Sequence, residues 1–142
     1  MTAEDLMAVL KTLDPKTEIS KLAKTAQRQL TGQELILRDG MNWAAKEIHQ
    51  TACEKGWWDK DRNNGELIAL IHSELSEGLE GLRKDLDDDH LPEFKMIECE
   101  LADAMIRILD MSAARNYRIA EAMIAKMEYN KSRSVRHGGK KF

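Results

Sequence analysis

Proline, cysteine and aromatic residues are all scarce in this chain of 142 residues, and each shortage excludes something. Only Pro15 and Pro92 interrupt the chain, and no stretch alternates β-branched with polar residues as a half-buried strand would. An all-α fold follows. Two cysteines, Cys53 and Cys99, form neither a disulfide framework nor a CxxC motif, and they read as small buried residues of a reducing compartment. No apolar run approaches the roughly 20 residues of a membrane span, and the N-terminus lacks a signal-peptide pattern. A cytoplasmic protein without a membrane partner is expected. The formal net charge of -3 provides no general attraction to a nucleic acid polymer.

What is present is helix-forming sequence, with 42% hydrophobic and 33% charged residues, enough for a globular core. Residues 1–33 read as a helical leader for packing or oligomerisation, with segments near Glu4 to Leu13 and Glu18 to Leu30 on either side of Pro15. Residues 34–142 read as a four-helix-bundle-like unit with a basic C-terminal tail, Gly138 to Lys141. Its first helix is predicted over about Gln33 to Lys55, with Asp39-Gly40 as a candidate kink and Gly56 as the C-terminal stop. A loop rich in turn formers leads to a helix over Glu66 to Lys84. After an acidic connector, Pro92 is expected in the first turn of a central helix reaching Arg115, and a last helix covers Ile119 to Arg133.

Two carboxylate pairs stand out. Glu74-Leu75-Ser76-Glu77 and Glu100-Leu101-Ala102-Asp103 each carry acids at i and i+3, so both members of a pair leave one helix face. At about 100° per residue, Glu74 falls inside an apolar stripe of Leu67, Ile68, Leu70, Ile71, Leu75, Leu79 and Leu82. The central helix is apolar on two sides, and between them runs a band of Glu100, Asp103, Arg107 and Asp110. If the two helices are antiparallel neighbours, four acids converge, and such a group cannot all ionise without protons or cations. An all-oxygen ligand set suits Mg²⁺, with Mn²⁺ as a substitute, and without metal the charge of Glu74 is opposed by both burial and repulsion. The plainer alternative is a set of solvated surface acids.

A metal held by acids fits an anionic substrate, and the last helix offers Lys126, Asn130 and Arg133 at i, i+4 and i+7. That face can grip phosphate, or it can be a solvated basic face near a helix C-terminus. Trp57 and Trp58 are adjacent in a loop. One can stack on a nucleobase while the other closes the core or an oligomer interface; packing is the simpler role for both. His49, His72, His90 and His137 show no metal spacing, and Asp110 reads as a partner of Arg107 or of a metal-bound water.

Taken in order, Gly56-Trp57-Trp58, the run Glu66 to Glu77, Glu100-Leu101-Ala102-Asp103 and Lys126 to Arg133 resemble the MazG-like all-α nucleoside triphosphate pyrophosphohydrolases. Their signature is ExxE, a gap of about two dozen residues, then ExxD; here 22 residues separate Glu77 from Glu100. The resemblance covers about residues 34 to 137 and implies hydrolysis of an NTP or dNTP to the monophosphate and pyrophosphate. It implies Mg²⁺ on Glu74, Glu77, Glu100 and Asp103 as metal-binding and catalytic residues, with Lys126, Asn130 and Arg133 on the phosphates. A homodimer or homotetramer is implied too, of the kind found among bacterial and phage nucleotide-pool enzymes. The leader departs from the minimal domain of that family. A di-iron oxidase would need Glu-x-x-His pairs, which are missing. A non-catalytic helical nucleotide-binding or protein-interaction module is the other alternative, and it would not need the four acids.

Overall fold

The computed structural model describes residues 29–133, and the leader segments and the basic tail lie outside them. The chain divides between Gln33 and Glu34, and apart from Gly32 and Gln33 the residues described below belong to the second unit. Four helices make up the described residues: α1 (Gly32–Glu54), α2 (Asn64–Lys84), α3 (Met96–Arg115) and α4 (Ile119–Lys131). The fold is all-α and bundle-like, and none of these helices is long and apolar enough to cross a membrane.

Helix ends follow local chemistry. Asn63 caps α2, its side chain accepting from the Gly65 and Glu66 amides. Helices α1, α2 and α3 each stop at a left-handed residue, Gly56, Asp85 and Asn116. After each, the next amide reaches back five residues to a carbonyl: Trp57 to Ala52, Leu86 to Gly81, Tyr117 to Ser112. Gly56 is thus the stop that its residue type announces. Helix α1 runs through Asp39-Gly40 without the break considered there, and Gly40 is exposed with open surroundings. A single glycine costs a helix only about 1 kcal/mol.

Pro92 does not begin the central helix. It sits in a turn organised by Asp88, whose carboxylate accepts from the His90 and Leu91 amides at 3.0 and 2.7 Å and is held below the usual carboxylate range by those two bonds, that from Leu91 first. Asp87 and Lys95 form an isolated antiparallel bridge, and Glu98 folds back onto the Lys95 amide at 2.8 Å. Helix α3 starts there, at Met96, four residues past the proline, and leaves Phe94 in the turn.

Helices α2 and α3 pack antiparallel, since Gly81 faces Met96, Gly78 faces Ile97 and Glu100, and Glu74 reaches Arg107. Two glycines allow this approach. A Cβ on Gly81 would stand 2.9 Å from Met96 Cβ, and one on Gly78 would stand 3.3 Å from Glu100 Cβ. Gly81→Ala should therefore destabilise the protein by about 1–2 kcal/mol, overpacking outweighing the roughly 1 kcal/mol of helix propensity that alanine brings. Denaturant unfolding of the pair of proteins measures it, and a more stable variant would show that the helices part freely.

The apolar stripe of α2 is only partly covered. Leu67 is buried, yet Ile68, Leu75, Leu79 and Leu82 remain 45–60% exposed. On α3, Leu101, Met105 and Ile108 are exposed as well. Between α1, α3 and α4 lies an apolar groove of about 780 Å³, lined by Leu37, Met41, Met105, Leu109 and Met123 among others.

Candidate metal and substrate site

Glu74 is buried to 6% exposure and Glu100 to 9%, both at the seam between α2 and α3, which the two glycines narrow. With exposed Glu77 they offer oxygens that all lie within 4.8 Å of one another. Burial, a hydrogen bond with Glu74 and the charges of Glu77, Glu74 and Asp103 push the Glu100 carboxyl up to about 7. Glu74 is the compensated member: Arg107 Nε donates to its Oε1 at 2.5 Å. Burial and repulsion thus oppose the charge of Glu100, while Glu74 meets Arg107 across the seam. Arg107 lies one helical turn beyond Asp103, and a reading of each helix alone assigns it to its own helix.

Asp103 lies outside the group of three. It lines a neighbouring cavity of about 480 Å³ with Trp57, Arg62, Arg107 and Asp110, walled also by Glu47 and Thr51 of α1 and by Lys55 just past its end. Desolvation and the charge of Glu74 push its carboxyl above the usual range, and Arg107 opposes them. Arg107 links the two sites, pairing with Glu74 while its guanidinium stands 5.8 Å from the centre of the exposed Trp57 ring. Arg62 lies 5.4 Å from the same ring. The cavity thus combines an exposed indole, guanidinium and ammonium groups, and an acidic edge. Such a lining can take a flat ring and an anion together.

The two tryptophans part company. Trp58 turns inward, its indole N–H donating to both oxygens of the buried Asp110 at 3.0 and 3.1 Å. Asp110 also meets His49 Nδ1 at 2.7 Å, so its partners are His49 and Trp58 and not Arg107. Arg115 fixes the tryptophan loop from the end of α3, donating to Asn64 Oδ1 at 2.8 Å, to Asp61 Oδ1 at 3.0 Å and to the Arg62 carbonyl.

The basic trio of the last helix is not brought to this cavity within one chain. Lys126 lines the apolar groove, and it and Arg133 lie 4.7 and 6.0 Å from the ring centre of Tyr129. Asn130 is exposed beside them, and α4 ends at Lys131, two residues short of Arg133. The cations that do line the cavity are Lys55, Arg62 and Arg107. Of these only Arg107 carried a signal, its place in the acidic band of α3. Lys55 and Arg62 flank the tryptophans in sequence, and that proximity was their one available cue. Comparison with protein-family models, with curated proteins and with solved structures finds no match for this chain.

Proposed function

We propose that this chain is a Mg²⁺-dependent nucleoside triphosphate pyrophosphohydrolase acting on NTPs or dNTPs in nucleotide-pool control, as its resemblance to the MazG-like enzymes implies. One observation carries the reading beyond the motif. Glu74, Glu77 and Glu100 converge from two helices into a set of hard oxygen donors, beside a cavity holding an indole and three cations. The donor set fits Mg²⁺ or Mn²⁺, with Glu74, Glu77 and Glu100 as ligands and Asp103 on the cavity side. When bound, such an ion supplies charge neutralisation for phosphate oxygens and makes water more acidic.

The chain's own residues do the rest. Arg107 holds Glu74 in place and reaches the cavity, where with Arg62 and Lys55 it opposes the triphosphate charge. Trp57 offers its exposed ring to the base. Water attacks the α-phosphorus, the bond to the bridging oxygen breaks, and pyrophosphate leaves. A glutamate of the cluster orients the water and receives its proton. Lys126, Asn130 and Arg133 enter this scheme only if a second copy presents them.

A second copy is part of the proposal. Exposed Ile68, Leu75, Leu79, Leu82, Leu101, Met105 and Ile108 are seven large apolar side chains on two adjoining helices. At about 80 Å² each they offer near 600 Å² before their neighbours are counted, close to the roughly 800 Å² per partner of a stable interface. We therefore read the protein as a homodimer or a homotetramer built from such pairs. A cytoplasmic setting, where triphosphates and Mg²⁺ meet, fits this role.

Incubation with the eight common NTPs and dNTPs and Mg²⁺ should yield monophosphate and pyrophosphate in equal amounts. EDTA should stop the reaction and Mn²⁺ should restore it. Diphosphate with orthophosphate, or no turnover of any of the eight, would overturn the reading.

A further inference from the structure

Apart from the acid cluster, with only Asp110 bordering the cavity, three side chains form a constellation that the proposed hydrolysis does not use. On α1, His49 and Cys53 stand four residues apart on one face, with Sγ 3.6 Å from His49 Nε2. The other ring nitrogen, Nδ1, lies 2.7 Å from Oδ1 of Asp110 on α3. Asp110 is buried and held by the Trp58 indole N–H, and the Trp58 ring meets the imidazole edge-on at 5.3 Å between centroids. The imidazole is oriented from two sides.

That orientation decides where its proton sits. An ionised carboxylate only accepts, so Nδ1 carries the hydrogen and the lone pair lies on Nε2, facing Sγ. The thiol therefore has a base as its neighbour. Moving one proton from Sγ to Nε2 produces a thiolate facing an imidazolium, with the Asp110 carboxylate behind the new positive charge. Cys53 is exposed, so a reagent can reach it. Cys99 is half-buried, and it has the acidic side chains of Asp88, Asp103 and Glu100 around it where Cys53 has a base.

We infer that Cys53 is a base-assisted reactive thiol, with His49 as the base and Asp110 as its positioning residue, and that it is a site of oxidation by hydroperoxides. The sulfur attacks one peroxide oxygen, an S–O bond forms and the O–O bond breaks. The departing hydroxide takes the proton from His49 Nε2 and leaves as water. Sulfur loses two electrons to become the sulfenic acid, and the peroxide gains them.

The test treats the full chain with hydrogen peroxide in the presence of dimedone, and separately with iodoacetamide, and follows labelling at each cysteine by peptide mass spectrometry. Cys53 of the folded protein should react at least about tenfold faster than Cys99 and than Cys53 of the urea-unfolded chain. His49→Ala should lower the Cys53 rate to the unfolded value, and added imidazole should restore part of it. Loss of packing alone would give no such rescue. Asp110→Asn, which can present its amide to Nδ1 and turn the lone pair away from Sγ, should also slow the reaction. Equal rates for Cys53 in the folded and unfolded wild-type chain would overturn the inference whatever the variants do, as would an unchanged rate in a folded His49→Ala protein.

Discussion

Glu100→Gln should raise the melting temperature of the metal-free protein at pH 8 and leave it nearly unchanged at pH 4. The sign follows from the folded-state shift. Burial first, then the hydrogen bond with Glu74 and the surrounding acids, push Glu100 up from the ordinary 4.5 to about 7. The folded protein therefore holds a proton that the unfolded chain releases. That contribution to stability is fully present below about pH 4.5 and is lost as the pH rises through about 7. Glutamine keeps the shape and cannot ionise, so the variant gains over the parent only at the alkaline end. Exposed Glu77 keeps the cluster in contact with water, and after that screening the gain is about 1–2 kcal/mol, or roughly 4–8 °C. Added Mg²⁺ stabilises whatever folded state binds it, so the parent should gain at pH 8 and the variant should gain less. Glu74→Gln should behave oppositely, losing stability without metal, because Arg107 is left without its partner. Melts of the three proteins at both pH values, with and without Mg²⁺, separate these outcomes; a parent-to-variant difference that is the same at both would show that folding does not shift the Glu100 carboxyl.

Part of this site can be read from the chain and part cannot, for definable reasons. Helical phase places Glu74 inside an apolar stripe, and its burial agrees. The same phase puts Glu100 and Asp103 on one face of α3, yet only Glu100 joins Glu74 and Glu77. Periodicity relates residues along one helix and says little about which of them faces a given neighbour across the seam. His49 and Asp110 show the same limit, being 61 residues apart with no local signal joining them. Pro92 failed differently. Proline favours a first turn, but the Asp88 turn and the Glu98 cap are stronger local devices and moved the start to Met96. The ends at Lys84 and Arg115 fall where the sequence places them, and Asp85 and Asn116 are residues that tolerate the left-handed backbone found there.

The apolar stripes mark the last such limit and lead to the other large expected effect. A period of 3.6 residues identifies which face is dry, and it is silent on whether the same chain or a second one dries it. In α2 the buried positions are Leu67, Glu74, Gly78 and Gly81, while Ile68, Leu75, Leu79 and Leu82 lie to one side of them and Glu77 to the other. The antiparallel pairing puts Leu101, Met105 and Ile108 of α3 on the same side as that leucine stripe, away from the acids. If the proposed dimer uses this face, Leu79→Glu should convert it to a monomer without touching the acid cluster. In a two-fold interface the change occurs twice, each copy burying an unpaired carboxylate at about 2–3 kcal/mol. The total of about 4–6 kcal/mol weakens association by roughly a thousandfold to ten-thousandfold. Leu79→Met conserves volume and should leave the assembly intact. Sedimentation of the three proteins from about 1 to 100 μM decides the matter. A parent that is monomeric across that range would sink the dimer, and so would a folded Leu79→Glu protein that still sediments with the parent.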